Sequence, residues 1–172
     1  MLDTFKTLIA NQYEASLCML NACIDKCPEA AWNEPVVNLK FCQVAFHALF
    51  FTDYNLGVSE APFRQQPFHL EHTAVFRDYE ELEPREQVHL YEKAWIKVYV
   101  QFCRNKAIEV SKSETAASLA APAQFPRRPF TRAELHVHNI RHIHHHAAQL
   151  SMRLRIDSQI DVPWFHSGWT ET

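Results

Sequence analysis

The stretch Thr131–Arg155, TRAELHVHNIRHIHHHAAQLSMRLR, holds six of the chain's 11 histidines and decides how the other segments are interpreted. It contains no Pro or Gly, and Thr131 followed three residues later by Glu134 is the capping-box pattern that begins a helix. Apolar residues recur at the spacing of one helical face, namely Leu135, Ile140, Ile143, Ala147, Leu150 and Leu154. The stretch therefore predicts one amphipathic helix with a histidine-rich flank.

His142 and His146 are four residues apart, so they lie about 40° apart on one face of the predicted helix. They border the apolar stripe and should point toward the edge of a core. Two imidazoles at this spacing can converge on one metal ion without bending the backbone. The histidines are interleaved with Ile, Leu and Arg at helical period, which argues against a purification tag. The pair is therefore the candidate metal chelate.

The other four histidines of the stretch are interpreted as residues of the surface or of the mouth of the site. His144 falls opposite the chelating pair and should face solvent. His138 and His145 flank the pair on its polar side, and His136 lies nearer the apolar stripe, one turn from the helix start. The sequence does not decide the roles of these four.

The composition indicates one mainly helical domain that covers residues 1–172. Hydrophobic residues make up 47% of the chain, with twelve Phe and four Trp, which argues against disorder. The only glycines are Gly57 and Gly168. Sandwiches and barrels need many tight turns, which glycine usually supplies, so an all-β fold is disfavoured. The same scarcity excludes a glycine-rich phosphate loop.

Charge and hydropathy exclude several classes of partner. The formal net charge is −3 and no basic face stands out, so we expect no nucleic-acid binding. The most apolar stretch, Val44–Leu56, is too short to span a bilayer, and the N-terminus lacks a signal-peptide pattern. We therefore expect no membrane partner and a cytoplasmic location. The five cysteines show no C-x-x-C pattern and are interpreted as small buried hydrophobes of a reducing compartment.

Helical periodicity and its breakers predict four helices, at residues 3–26, 39–57, 85–112 and 132 to about 156. Asn38 is the expected N-cap of the second helix. The proline-broken segment 58–84 is expected to be an irregular but ordered cover, with His69 and His72 at the surface or one of them on a lid. No stretch predicts a strand.

Four helices of these lengths predict an all-α, four-helix bundle. The connections are longer than tight hairpins need, so crossover topologies stay open. Trp164 and Trp169 lie in a short C-terminal tail that has no core of its own, so they should pack back on the bundle or across a dimer. The sequence does not require a dimer, but a symmetric homodimer is the expected oligomer.

His47 is the candidate third ligand, because a catalytic metal usually has three protein ligands and an open position. It lies in the middle of a nearly all-apolar helix, where an unpaired imidazole is costly to bury. Ligands in a bundle project inward from facing helices, so His47 can meet His142 and His146. The residues alone also allow a buried histidine that is hydrogen-bonded to a carbonyl or a tyrosine.

Two segments, FHALFFTDYNL around His47 and NIRHIHHHAAQL around His146, resemble the signature segments of the DinB-like superfamily, which includes the YfiT-type proteins. The resemblance implies a four-helix bundle with a three-histidine site for a divalent metal. His146 followed by Gln149 matches the motif H-x-x-x-H-R-G-Q, and the resemblance thus implies His47, His142 and His146 as ligands. Ala147–Ala148 departs from the usual Arg-Gly, which removes a polar contact near the site but no ligand.

The resemblance implies a metal-dependent enzyme, a thiol-S-transferase or a hydrolase, whose small-molecule substrate includes a low-molecular-weight thiol in the first case. Neutral imidazole suits zinc, nickel, iron and copper, so three histidines do not choose the metal. Zinc or nickel is the expected ion, with iron as a further option. Two other hypotheses stay open. In one, the chain is a non-catalytic bundle that binds metal and a small molecule or partner, for instance in a stress response. In the other, the histidines only decorate a solvent face.

Several side chains are candidates to hold the ligands or to line the mouth of the site. Tyr54 lies two turns after the second-helix ligand on the same face, and Gln149 follows the last ligand by three residues. His138 could line the mouth or act as a base. Asp53 and Glu134 are weaker candidates, since Asp53 lies about 240° around its helix from the ligand.

Overall fold

The apolar periodic segments form four long helices in the computed structural model, which describes residues 1–126 and 128–170. The α-helices are α1 (Leu2–Lys26), α2 (Phe41–Leu56), α3 (Glu60–Arg64), α4 (Pro67–Glu71), α5 (Thr73–Phe76), α6 (Lys93–Ser113), α7 (Ala116–Ala120) and α8 (Arg132–Ser158). Two strands, β1 (Pro35–Val36) and β2 (Leu39–Lys40), form an antiparallel hairpin. Short 3-10 turns span Glu29–Ala31 and Glu80–Leu82. None of the helices in the described ranges has the length and hydropathy that crossing a bilayer requires.

The long helices follow one another around the bundle in the order α1, α6, α2, α8, because α1 and α2 each pack on both α6 and α8. On α1, the hydroxyl of Tyr13 meets His136, and the thiol of Cys23 meets the carbonyl of Ala147. In both helices the second contact lies closer to the C-terminus than the first, so α1 and α8 run parallel. In the order α1, α6, α2, α8, helix α1 lies opposite α2 and α6 lies opposite α8, so the connections within these two pairs cross an end of the bundle diagonally.

Helix α2 runs antiparallel to α8. Asn55, near the end of α2, bonds Asn139 near the start of α8 at 3.2 Å. His47, earlier on α2, lies next to His146, later on α8. Helix α6 runs antiparallel to α1 and so has the direction of α2. This up-down-down-up arrangement confirms the predicted four-helix bundle and brings the middle of α2 against the middle of α8.

The core forms where the apolar faces of the four long helices meet. Ile143, Leu150 and Leu154 of α8 are at most 2% exposed, and each such burial stabilises the fold by about 1.5–3 kcal/mol. Helix α2 is buried on nearly every side, and its only half-buried positions are His47 and Phe51. These two positions are four residues apart, so they open a single strip of α2 toward solvent.

The second helix begins later than predicted, because residues 35–40 form the hairpin. Asn38 is not the N-cap but lies in the two-residue turn with Val37, whose φ is 65°. The cap is Lys40, whose backbone N–H is bonded by the Gln43 side chain at 2.8 Å. The prediction that no strand forms is wrong here, since strands of two residues are too short to show a period.

The third helix also begins later than predicted, at Lys93 instead of residue 85. Residues 85–92 have no regular secondary structure, and polar side chains bond their backbone in place of helical neighbours. The carboxylate of Glu80 accepts the N–H of His89 at 3.0 Å, and the amide of Gln43 donates to the carbonyl of Gln87 at 2.9 Å. These bonds come from distant segments, so helical periodicity alone could not reveal them.

The segment 58–84 contains α3, α4, α5 and a 3-10 turn, and it covers a buried polar network. The expectation that His69 is a surface residue is wrong, because it is 1% exposed and donates to Asp53 at 2.9 Å. Tyr99 also donates to Asp53 at 2.9 Å, and Lys106 forms an ion pair with it. Burial raises the pKa of Asp53, but the bond from His69 and the charge of Lys106 outweigh this and lower it overall.

The C-terminal tail packs back on the bundle, as the apolar residues in it predict. The N–H of Gly168 bonds the carbonyl of Asn11 at 3.0 Å, and Arg104 lies 4.5 Å above the ring of Trp169. Trp164 remains 63% exposed and stacks on His144 at 5.7 Å. His144 is therefore half-buried instead of facing solvent. Homodimerisation remains a prediction.

We predict that Asp53→Asn lowers the free energy of unfolding by roughly 3 kcal/mol, because it leaves Lys106 and His69 facing an uncharged amide in a dry site. Asp25→Asn is the matched control, since it breaks an ion pair with Lys97 whose side chains are 30% and 50% exposed. It should cost less than about 1 kcal/mol. Urea unfolding of both variants measures the difference, and equal losses would contradict the structural role of the network.

Candidate metal centre

The middle of α2 meets the middle of α8 at three half-buried histidines. Ile143 and Ala147 are fully buried and hold α8 against the core, which turns the neighbouring His142 and His146 toward α2. His47 projects from the one strip of α2 that is not fully buried. The amphipathic pattern of α8 and the position of His47 in an apolar helix thus both indicate a histidine cluster between α2 and α8.

The three imidazoles converge on one point. Ring centroids are 5.4 Å apart for His47 and His142, 4.8 Å for His47 and His146, and 4.5 Å for His142 and His146. The two Nε2 atoms of the α8 pair are 3.1 Å apart, and one nitrogen of each ring lies within 4.8 Å of the others. Two nitrogens bound to one tetrahedral ion are about 3.3 Å apart, so this spacing fits a metal site.

Two hydrogen bonds orient the rings. Nδ1 of His47 donates to Oε2 of Glu81 at 2.7 Å, and Nδ1 of His146 donates to Oε1 of Gln149 at 2.8 Å. Since both acceptors are oxygen atoms, the neutral form of each ring carries its proton on Nδ1 and its lone pair on Nε2. Hydrogen bonds of this kind are what holds metal-binding histidines in place.

The α8 pair is neutral near pH 7, which is the form that binds metals. Burial lowers the pKa of His142 to about 2, with a further contribution from His146 and His47. Burial and the neighbouring His47 lower the pKa of His146 to about 4. Nδ1 of His142 is buried and has no hydrogen-bond partner in the described part of the chain.

The family model of the DinB family matches residues 59–166, which is more than half of the chain. The chain belongs to the DinB family. No curated protein and no solved structure matches it in the corresponding searches. The DinB match contains His142 and His146 but begins after His47, so the inclusion of His47 depends on its own sequence segment and on the geometry.

The hypothesis that the histidines only decorate a solvent face would be supported if His47 lay more than about 8 Å from His142, well beyond ligand distances near 2 Å. The ring centroids of these two residues are 5.4 Å apart, so the structure gives that hypothesis no such support. For a DinB protein the convergence of the three rings is the expected arrangement. Their binding of a metal ion stays a prediction.

The side chains next to the cluster partly match those expected. Gln149 bonds His146, as its position in the motif suggests. The hydroxyl of Tyr54 instead donates to Glu60 at 3.3 Å, and its ring lies behind Phe51. Phe51 is the aromatic residue beside the cluster, with its ring 4.8 Å from that of His47. It forms an apolar wall of the site.

The remaining histidines of α8 lie outside the cluster. His138 is half-buried against Phe130 at 5.3 Å, and His145 is exposed with its ring 5.0 Å from that of His146. The interpretation of His136 as a surface or mouth residue is wrong, because it is 2% exposed. It bonds Glu114 at 3.0 Å and the hydroxyl of Tyr13 at 3.1 Å, and burial lowers its pKa.

Three further residues that were candidates for the site form contacts elsewhere. Asp53 belongs to the buried network with His69, and Glu134 is exposed at the start of α8, where its N–H bonds the hydroxyl of Thr131 at 3.2 Å. His72 donates to the carbonyl of Phe68 at 2.8 Å. Glu81, which bonds His47, was missed because nothing in the acidic run DYEELE distinguishes it from its neighbours.

We predict that metal-free protein becomes less stable as the pH falls from 7 to 5. Because the pKa values of His142 and His146 are lowered in the folded state, the unfolded chain takes up protons first, below about pH 6.5. The stability is fully present above that pH and declines toward the folded pKa values. For the two half-buried rings the loss at pH 5 should be roughly 2 kcal/mol.

Urea unfolding at several pH values tests this prediction. The double variant His142→Gln/His146→Gln should depend less on pH than the wild type, because it lacks the two groups. His145→Gln removes an exposed neighbour of the pair and should keep the wild-type dependence. An unchanged slope in the double variant would contradict the assignment of the pH effect to the cluster.

Proposed function

We propose that the protein is a divalent-metal-dependent enzyme in which His47, His142 and His146 bind the ion and leave one position open. The observation that carries this proposal is the pair of hydrogen bonds that turns the Nε2 lone pairs of His47 and His146 toward one point. Three imidazoles do not choose among zinc, nickel, iron and copper. We expect zinc or nickel, with iron as a further option. All three rings are half-buried and not fully enclosed, and the proposal requires that small molecules reach the open position.

The protein itself supplies no thiol nucleophile at this site. Its five cysteines are buried and free, and Cys23 bonds the carbonyl of Ala147 on α8. Burial raises the pKa of Cys23 to about 12, so it is a thiol and not a thiolate. The nucleophile therefore comes from outside, as water in a hydrolase or as a small-molecule thiol in a transferase.

A bound divalent ion would lower the pKa of a water molecule to near 7 or hold a thiol as its thiolate. Thiol transfer needs fewer protein groups, because the thiolate is already the nucleophile. Hydrolysis of an unactivated ester or amide also needs a general acid for the leaving group. His138, one turn before His142 on α8, is the candidate for that role. We therefore favour a thiol-S-transferase and keep the hydrolase as the second activity. The homodimer and the cytoplasmic location stay predictions.

We predict that untagged protein binds one divalent ion per chain and that His146→Ala abolishes this binding, because it removes one of three ligands and half of the α8 chelate. His145→Ala is the matched control, since its exposed ring is the next residue along the helix. Elemental analysis after dialysis measures the bound metal. A wild type that retains no zinc, nickel or iron after loading would refute the proposal.

We predict that metal-loaded protein joins a low-molecular-weight thiol to an electrophilic substrate, and that His142→Ala and chelation each lower kcat/KM by at least about 100-fold. Readdition of metal should restore the chelated wild type but not the variant. The same preparations should be assayed with simple esters and amides. Bound metal without turnover of any substrate would favour a non-catalytic metal-binding bundle.

A further inference from the structure

Glu81 holds a buried carboxylate directly behind the metal centre. It lies on the 3-10 turn Glu80–Leu82, and its side chain is 1% exposed. Oε2 accepts the Nδ1 proton of His47 at 2.7 Å. Oε1 is also buried, but it has no hydrogen-bond partner in residues 1–126 and 128–170. Glu81 therefore places a negative charge in the interior, and the imidazole of His47 is its one hydrogen-bond partner in the described residues.

The other buried carboxylates in the described part of the chain each have two or more partners. Asp53 forms an ion pair with Lys106, and Glu114 forms one with Arg132 at 2.8 Å. Glu80, next to Glu81, accepts two backbone N–H groups, with His89 at 3.0 Å. A buried charge without such partners is costly to the fold, so Glu81 does not have the arrangement of a group placed for stability.

The backbone just before Glu81 is strained. Arg77 and Tyr79 have φ values of 45° and 59°, a region that side chains with a Cβ rarely adopt. Tyr79 is held in this conformation from both sides, since its hydroxyl bonds the carbonyl of Arg64 at 3.2 Å and the Arg64 guanidinium lies 4.7 Å above its ring. Strain that the surroundings enforce in this way is typical of functional segments.

We propose that Glu81 is a positioning residue of the metal centre, which fixes the ring of His47 and supplies negative charge that an ion at the three histidines compensates. The bond to Oε2 keeps the proton of His47 on Nδ1 and leaves Nε2 for the ion. The charge destabilises the metal-free protein and strengthens the binding of a divalent cation. This inference rests on the proposed function, because the cation is what the charge serves.

Glu81→Gln tests the proposal, with Glu80→Gln as the matched control. Zinc affinity is measured on full-length protein by competition with a chromophoric chelator, and the Tm of each metal-free protein is measured in parallel. Glu81→Gln should bind zinc about 10- to 100-fold more weakly and have an equal or higher metal-free Tm than the wild type. Glu80→Gln should keep the wild-type affinity and lower the Tm, because it weakens two backbone bonds.

Wild-type affinity in Glu81→Gln would overturn the inference, and so would a loss of affinity accompanied by a fall in the metal-free Tm as in Glu80→Gln. A second measurement does not depend on the folding of any Glu81 variant. The ¹⁵N spectrum of the imidazoles in metal-free wild type, with His47 assigned by His47→Gln, should show His47 protonated on Nδ1. Protonation on Nε2 would also overturn the inference.

These outcomes separate the inference from the proposed function. A wild type that binds no metal would refute the proposed function, while the NMR measurement would still determine whether Glu81 orients His47. A wild type that binds zinc, together with a Glu81→Gln variant that binds it equally well, would refute only the role of Glu81.

Discussion

The antiparallel packing of α2 on α8 is the contact on which the site depends. Helix α2 can enter the bundle because most of its side chains are apolar and nearly all are buried, and the buried stripe of α8 provides the opposing surface. Asn55 is paired with Asn139 in that interface, whereas His47 is a polar group that packing alone would not favour. It is accommodated because the interface leaves its ring half-buried, beside His142 and His146 and in contact with Glu81.

Buried charge is treated in two different ways in this bundle. Asp53 and Glu114 have cationic partners and bonds from histidines, and they tie the covering segment and the start of α8 to the long helices. Among the described residues Glu81 has His47 as its one partner, and its other oxygen has none. The first arrangement stabilises the fold, whereas the second has the form that a cation at the neighbouring cluster would complete. The contrast distinguishes structural carboxylates from the one that we propose serves the site.

The family match and the geometry support different parts of the histidine cluster. Membership of the DinB family covers α8 with the histidine pair, while the structure alone brings α2 and its histidine to that pair. Three imidazoles that converge on one point suit an ion that would activate an external nucleophile. The buried state of every cysteine agrees with this chemistry, because it leaves the attacking thiol or water to come from solution.

Local sequence determined the four long helices, the chelating pair His142 and His146, and the candidacy of His47, because helical period and the cost of a polar group in an apolar helix are readable along the chain. Only the tertiary structure decided that residues 35–40 form a hairpin, that His69 and His136 are buried, and that Glu81 bonds the site. Each of these depends on partners distant in sequence: Glu81 is 34 residues from His47, and His136 is 123 from Tyr13. The hydrophobic periodicity of one helix contains no information about partners on other segments, so only the tertiary packing could reveal them.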